Sequence, residues 1–364
     1  MAVPLTDVKA QYAPLLEELR ARLDEVLERG QFILGPNVRA FEEEAGSYLG
    51  AAEAIGVANG TDAIVLVLDA LEIGPGDEVI CPAFTFYATA EAIARRGATP
   101  VFADIDPITL NLSPGHVAER ISPRTKAILA VHLFGRPAAL AELPQDVPLV
   151  EDAAQAFGAT LDGRRVGSFG VAATFSFYPT KNLFGLGDGG LVVTRDAEVA
   201  ERIRLLRFHG SKDKERFDAL GYNSRLDELQ AAALRLFLGH VDAWNDARRA
   251  AARRYADLGL GEFCELPRDE PGHVYHEFVV RSAERDRLAE ALRTAEVSCK
   301  SYYGVPLHLQ PALSYLGYEP GSLPETERAS RETLALPMWP GISPPQQEEV
   351  VEAAKAAAAK VRAA

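Results

Sequence analysis

The chain lacks the marks of a membrane, secreted or nucleic-acid-binding protein. None of its 364 residues fall in a run approaching the roughly 18 consecutive apolar residues of a spanning helix, so no membrane span is expected. The opening MAVPLTDVKAQ has no basic segment leading into an apolar one, so no signal peptide is expected, and Ala2 stands where N-myristoylation needs glycine. Cysteine is scarce: Cys81, Cys264 and Cys299 are odd in number and widely spaced, which excludes a disulfide framework or a cysteine metal cluster. They read as free thiols in a reducing cytoplasm. Positive charge is in deficit, with 38 Lys and Arg against 52 Asp and Glu for a net charge of −14. A general nucleic-acid binder, whose affinity comes from neutralising phosphates, is therefore not expected. There is no internal repeat. The one biased tract is the Ala- and Lys-rich end, residues 350–364, made of good helix formers and read as a terminal helix.

What is present is alternation. Between residues 54 and 195, short continuous apolar runs alternate with helical patterns. The expected strands are 54–58, 77–82, 99–105, 126–134, 147–153, 171–177 and 189–194, with helices such as 61–71 and 88–97 between them. Strands of this kind, separated by helices, form a mostly parallel sheet buried on both faces. The last two strands are too close in sequence for a parallel crossover, so an antiparallel pair is expected there. Residues 225–258 read as helix, too long for one element and broken near Gly239–Asp242. Beyond residue 260 come strand candidates 276–281 and 297–302 around a helix at 283–295. The expected architecture is α/β: a large domain, residues 1–240, with a mostly parallel central sheet between helices, and a smaller C-terminal α/β domain, residues 241–364.

Four stretches of the large domain carry chemistry-bearing residues, each with a plainer explanation. In VANGTDAI (57–64) a strand ends at Gly60 and a helix starts with Thr61 and Asp62. Its free N–H groups and dipole suit a phosphate; Thr or Asp could instead simply cap it. In PAFTFYATAEAI (82–93), Phe84, Phe86 and Tyr87 follow a strand, as stacking rings or as core. In VEDAAQAFGA (150–159), Glu151 and Asp152 end another strand, and a buried carboxylate there needs a partner such as a protonated ring nitrogen. The alternative is a cap for a helix over AAQAF. In FSFYPTKNLFGLGDGG (175–190), Lys181 sits among aromatic residues ahead of four glycines, with Ser176 upstream. Desolvation would free its amine as a nucleophile toward carbonyls, whereas most loop lysines are merely solvated. Together these parts, all at strand ends, are the set needed to hold pyridoxal phosphate.

With GQFILGPNVRAFEEE, ANGTDA, EDAAQAFGA, the lysine stretch, GYNSRLDELQAA, PLHLQPA and LALPMWP, nearly the whole chain resembles the DegT/DnrJ/EryC1/StrS sugar aminotransferases, which are fold-type I enzymes. The resemblance implies that Lys181 is the Schiff-base lysine and proton carrier and that Asp152 holds the ring nitrogen protonated. It places Gln155 near the ring's phenolic oxygen, Phe86 on the ring face, and Gly60, Thr61 and Ser176 on the phosphate. Asn223 resembles the asparagine that reaches the neighbouring subunit's cofactor, implying a homodimer with shared sites; the same Asn could simply form a loop turn. Arg225, His308 and the basic segment 207–214 are the implied cations for substrate carboxylates and diphosphate, or else ordinary surface charges. The glycines after Lys181 are expected to let the backbone pass close to ring and sugar. The implied reaction is a ping-pong transfer from L-glutamate, giving 2-oxoglutarate, through pyridoxamine 5′-phosphate, to a keto group of a nucleotide-linked sugar. The stretch around 209–232 resembles most the branch acting at C3 of dTDP-3-keto-6-deoxyhexoses; alternatives are C4 of dTDP- or UDP-linked 4-keto sugars and a UDP-linked 3-keto uronic acid. Lys181 argues against the dehydrating members, which carry histidine there. A regulator with a degenerate site, or a binding protein, would not need Lys181, Asp152 and Phe86 together.

Overall fold

The computed structural model describes residues 2–362, with side chains as far as residue 357. Met1 and the last two residues of the expected terminal helix lie outside the described residues. The strands in chain order are β1 (Glu53–Val57), β2 (Glu78–Pro82), β3 (Thr99–Ala103), β4 (Thr125–Val131), β5 (Leu149–Asp152), β6 (Thr160–Leu161), β7 (Arg164–Arg165), β8 (Ala172–Ser176), β9 (Gly190–Thr194), β10 (Phe278–Arg281) and β11 (Thr333–Leu336). Seven of them form one sheet in the order β1-β9-β8-β5-β4-β2-β3. The pairs from β3 to β8 are parallel. β9 runs antiparallel to both its neighbours, β8 and β1. The antiparallel end expected from the short connection is thus present, and Lys181 lies in that connection.

The sheet's apolar runs are buried on both faces because helices cover both. On one side pack Gly60–Ala70, Ala88–Arg95 and Ala197–Leu206, burying Ile64, Leu68, Ile93 and Ile203 against Val57, Val79 and Val150. On the other pack Leu16–Arg29, Pro36–Leu49 and Glu228–Leu238, burying Phe41, Leu49 and Phe237 against Phe175 and Leu191. A third core gathers helices Val241–Asp257, Arg285–Thr294 and Pro344–Arg362 around β10 and β11. Among the described residues no helix is long and apolar enough to cross a membrane, and no cluster of metal-ligating side chains forms. All three cysteines are free.

Several local expectations are corrected. The long helix begins at Glu228 rather than at residue 225, while its break, between Leu238 and Val241, falls where it was expected. Residues 297–302 are not a strand: Val297 bridges Val3, and Lys300 bridges Ala335. The chain there passes between two partners and pairs continuously with neither. The true partner of β10 is β11, hidden in the apolar run LALPMWP.

Helix Pro36–Leu49 has a cap that comes from far along the chain. Pro36 supplies a fixed φ at its first turn, and Gly35 offers no side-chain cap. The carboxylate of Glu228, itself 1% exposed, accepts from the N–H groups of Asn37 (3.0 Å) and Val38 (2.8 Å) and from Asn37 Nδ2 (3.1 Å). A Cβ at residue 35 would lie 2.7 Å from Glu228 Cδ, so this contact requires Gly35. Replacing Glu228 by Ala should leave these donors buried and unmet, lowering stability in denaturant titration by about 1–3 kcal/mol.

Candidate active site

The site is built at the carboxyl edge of the sheet, and β5 shows how. Its last two residues are adjacent carboxylates, which strand geometry sends to opposite faces. Glu151, fully buried, accepts from His132 Nε2 (3.0 Å) and from the N–H groups of Gly167 (2.7 Å), Phe169 (2.8 Å) and Gly170 (2.8 Å). His132 Nδ1 accepts from Ala138 N–H at 3.0 Å, so Nε2 carries the proton toward Glu151. Burial works against the charge of Glu151, yet the His132 bond and the glycine N–H groups hold its pKa below the ordinary value. That carboxylate is fully provided for and structural.

Asp152 is not. It is 5% exposed and accepts only from Thr89 Oγ1 (3.0 Å) and the N–H of Ala154 (3.2 Å). Burial pushes its carboxyl up; the Ala154 N–H, the Thr89 hydroxyl and the charge of Lys181 pull against that. No helix follows over residues 153–157, where the chain turns instead, so the reading of Asp152 as a helix cap is excluded.

Facing this edge is the N-terminus of helix Gly60–Ala70. Its cap is Asn59, whose side chain accepts from Asp62 N–H at 2.8 Å; Thr61 and Asp62 do not serve as the cap. Gly60 is the first helical residue. The N–H groups of Gly60 and Thr61 precede the first intrahelical bonds and point outward. A Cβ on Gly60 would meet Ser176 Cβ at 2.8 Å, so the glycine lets the helix end seat directly against the end of β8. The Ser176 hydroxyl and two free N–H groups are thereby brought together, a donor set fitted to a phosphate.

The lysine loop is pinned on every side. Lys181 N–H donates to Tyr178 O (2.9 Å), Gly185 N–H to Phe177 O (2.7 Å), and Phe177 N–H to Gly189 O (2.8 Å). Gln230 Oε1 accepts from Leu186 N–H at 2.6 Å. Asn182 Nδ2 donates to Asn245 Oδ1 (2.7 Å) and Val274 O (2.9 Å), tying the loop to the third core's helix and to the segment before β10. Two of the glycines after Lys181 also make close approaches within the protein. A Cβ on Gly190 would lie 2.4 Å from Asn59 O, and one on Gly185 would lie 2.8 Å from Gln230 Oε1. Lys181 is half-buried. Burial lowers its pKa to about 8, against the charges of Asp152 and Glu277, which raise it.

An aromatic wall completes the site. Phe86 is exposed and lies 6.5 Å from the ring of Tyr303, which stacks on Phe134 at 6.2 Å and meets Phe84 edge-on at 5.8 Å. Gln155 spans the gap: its Oε1 accepts from Phe134 N–H (2.7 Å) and its Nε2 donates to Tyr303 OH (2.9 Å). Thr89, Asn182, Glu277 and Tyr303 were missed from sequence. Only Glu277 left a signal, as a charge directly before the apolar run of β10.

The implied substrate cations fare differently. Asn223 is exposed and bridges Phe208, and the Arg225 guanidinium lies 5.8 Å from that same ring. His308 is buried with a carboxylate of its own, Glu327 Oε1 at 3.2 Å, and burial lowers its pKa despite that partner. It offers no free cation to a ligand. In the segment 207–214, Arg207 is buried on Glu42 (2.5 Å) and Gly56 O (2.7 Å), and Lys212 pairs with Glu201.

The model of the DegT/DnrJ/EryC1/StrS aminotransferase family matches residues 15–355. The chain is 46% identical to a pleiotropic regulatory protein of Geobacillus stearothermophilus, covering 97% of each. It is 45% identical to a dTDP-3-amino-3,4,6-trideoxy-α-D-glucose transaminase of Streptomyces venezuelae, over 99% of this chain and 97% of that one. Among solved structures, DesV of S. venezuelae, determined in complex with a ketimine intermediate, superposes with a TM-score of 0.95 at 43% identity over 98% of each chain.

An amine held near pKa 8 is nucleophilic at a pH where surface lysines, near 10.4, are almost wholly charged. Reductive methylation of the cofactor-free chain at pH 8, mapped by mass spectrometry, should label Lys181 ahead of exposed lysines such as Lys212. Equal labelling would mean that its amine is not activated.

Proposed function

The chain belongs to the DegT/DnrJ/EryC1/StrS aminotransferase family, and we propose that it uses pyridoxal 5′-phosphate to move an amino group from L-glutamate to a keto group of a nucleotide-linked sugar. The observation that carries this reading is the pairing of a half-buried amine, Lys181, lowered to about 8, with an under-satisfied buried carboxylate, Asp152, beside an open helix end.

Each residue then has a task. The N–H groups of Gly60 and Thr61 and the hydroxyls of Thr61 and Ser176 hold the phosphate. Asp152, fixed by Thr89, keeps a proton on the ring nitrogen, and that cation is the partner its buried carboxylate needs. Gln155, its amide fixed by Tyr303 and Phe134, would face the ring's oxygen, and Phe86 would cover the ring. Bound there, pyridoxal phosphate supplies an electron sink for the carbon that loses or gains a proton. Lys181 anchors the cofactor, takes the α-proton of L-glutamate on its neutral amine, and returns a proton when the sugar is aminated. Residues 1–240 form the cofactor-holding domain on this reading; residues 241–364 form the smaller domain, which lends Glu277 and Tyr303. Asn223 reaches the cofactor of a second copy, making the homodimer the working unit, and Arg225 is the candidate for an anionic group of the substrate.

The name of the S. venezuelae relative, a dTDP-3-amino sugar transaminase, supports C3 of a dTDP-3-keto-6-deoxyhexose as the acceptor. Amination at C4 of a dTDP- or UDP-linked 4-keto sugar is the alternative. The name of the G. stearothermophilus relative supports a second, non-catalytic reading as a regulator that binds the cofactor.

These readings separate in the visible spectrum. The purified protein should show a yellow band that L-glutamate alone removes and one keto-sugar nucleotide of a panel restores. A band indifferent to L-glutamate favours the regulator, and a protein colourless after pyridoxal phosphate is supplied sinks both. Lys181→Ala should keep its fold by circular dichroism and lose at least about 100-fold in transfer rate. Asn223→Ala should lose cofactor faster on dialysis than the parent.

A further inference from the structure

Two buried amides beside the lysine have no part in the scheme above. Asn182, covalently next to Lys181, and Asn245, inside helix Val241–Asp257, are each 1% exposed. Asparagine is a poor helix former, and on the buried side of a helix an apolar residue would carry no polar cost. What Asn245 adds is a pair of bonds. Its Oδ1 accepts from Asn182 Nδ2 at 2.7 Å, and its Nδ2 donates to Phe157 O at 3.1 Å. Asn182 Nδ2 donates also to Val274 O at 2.9 Å. Asn182 Oδ1, though buried, has no partner among the described residues. An apolar side chain would spare that unmet acceptor, so the value of Asn182 lies in what its nitrogen holds.

These bonds converge on the segments that fix Gln155. Phe157 lies two residues past Gln155, in the turns that follow β5. Gly158, next along, has a φ of +84°, and a Cβ there would lie 2.6 Å from Asn245 Nδ2. The turn thus leaves its space to this amide. On the other side, Val274 N–H donates to Gly135 O at 3.0 Å, and the neighbouring Phe134 N–H holds Gln155 Oε1 at 2.7 Å. Through Asn182 the lysine loop is therefore bonded toward Gln155 from both directions. Asn245 makes the direct tie between the loop and the turn.

We propose that Asn245, working through Asn182, is a positioning residue for Lys181, setting where the amine stands relative to the turn that runs from Asp152 to Gln155. The helix that supplies it packs in the third core through Ala251, Ala252 and Tyr255, so an element outside the central sheet fixes the reacting amine. The inference rests on Lys181 being the cofactor lysine.

The test compares two forms of the cofactor on the full chain. Pyridoxal 5′-phosphate becomes linked to the lysine, whereas pyridoxamine 5′-phosphate has no aldehyde and is held by noncovalent contacts alone. Dissociation constants for both are measured by equilibrium dialysis. Asn245→Ala should weaken the hold on pyridoxal phosphate about tenfold more than the hold on pyridoxamine phosphate, roughly the worth of one hydrogen bond. Equal losses for the two forms would mean that Asn245 only supports the fold, and no loss that it does neither; each overturns the proposal. Should that variant not fold, Asn182→Ala cuts the same bond from the loop side and leaves the Asn245–Phe157 bond in place. The same unequal loss is expected, and equal or absent losses overturn the proposal. Lys181→Ala is the separate control. If it still prefers pyridoxal phosphate to pyridoxamine phosphate as the parent does, the assignment of Lys181 itself has failed, independently of Asn245.

Discussion

The site depends on the contrast between two neighbouring carboxylates at the end of β5. A buried charge is tolerated only when hydrogen bonds or an opposite charge replace the water it loses. Glu151 has three N–H groups and a histidine, and with them it holds the turn at Gly167–Gly170 onto the sheet. Asp152, one residue later on the other face, has one hydroxyl and one N–H. The fold has therefore met the cost of one charge and left the other open, on the face where helix Gly60–Ala70 ends and Lys181 loops past. A buried carboxylate with so few partners is costly by itself and stable beside an opposite charge.

That arrangement relies on backbones approaching closely. Gly60 rests on Ser176, Gly190 on Asn59, and Gly35 on Glu228. At Gly60 and Gly190 a single methyl group would separate elements that carry or adjoin site residues, and at Gly35 it would separate two helices that cover the sheet, so the precision of the packing is stored in positions without side chains. The polar ties complement these contacts. Asn182 fixes the lysine loop to the segment before β10, while Gln155 joins the Phe134 peptide to Tyr303. Lysine, carboxylate and aromatic wall are thus set by three different parts of the chain locked through short hydrogen bonds.

The architecture was legible in sequence wherever the pattern is local. The central strands announced themselves as apolar runs, and the short connection across Lys181 foretold the antiparallel end. Position at strand ends also pointed to Asp152, Gly60 and Lys181 together. What depended on distant partners was not legible. Glu228 caps a helix that begins at Pro36, and nothing near either residue says so. β11 had to be found by β10 across the chain, and 297–302 has strand-like composition but only isolated bridges. His308 reads as a cation until its burial beside Glu327 is seen. Asn59 displaced Thr61 as the helix cap because an extended residue just before the turn aims its amide at Asp62 N–H, a geometry that local composition leaves undecided among Asn, Thr and Asp.

The energetics of these charges bear on whether the chain acts or only binds. Lys181, Asp152, Glu277 and Arg248 share a region where burial opposes every one of their charges. Replacing such groups with apolar residues of similar volume is often neutral or stabilising by about 1–4 kcal/mol. A protein that merely retained a cofactor could bind its phosphate through the helix end and its ring through Phe86 and Tyr303, and shed the lysine and its counter-charges. An amine lowered to about 8 serves a proton that must come off and return near neutral pH. The whole set of opposed charges is intact here, and that favours transfer chemistry over the regulatory reading.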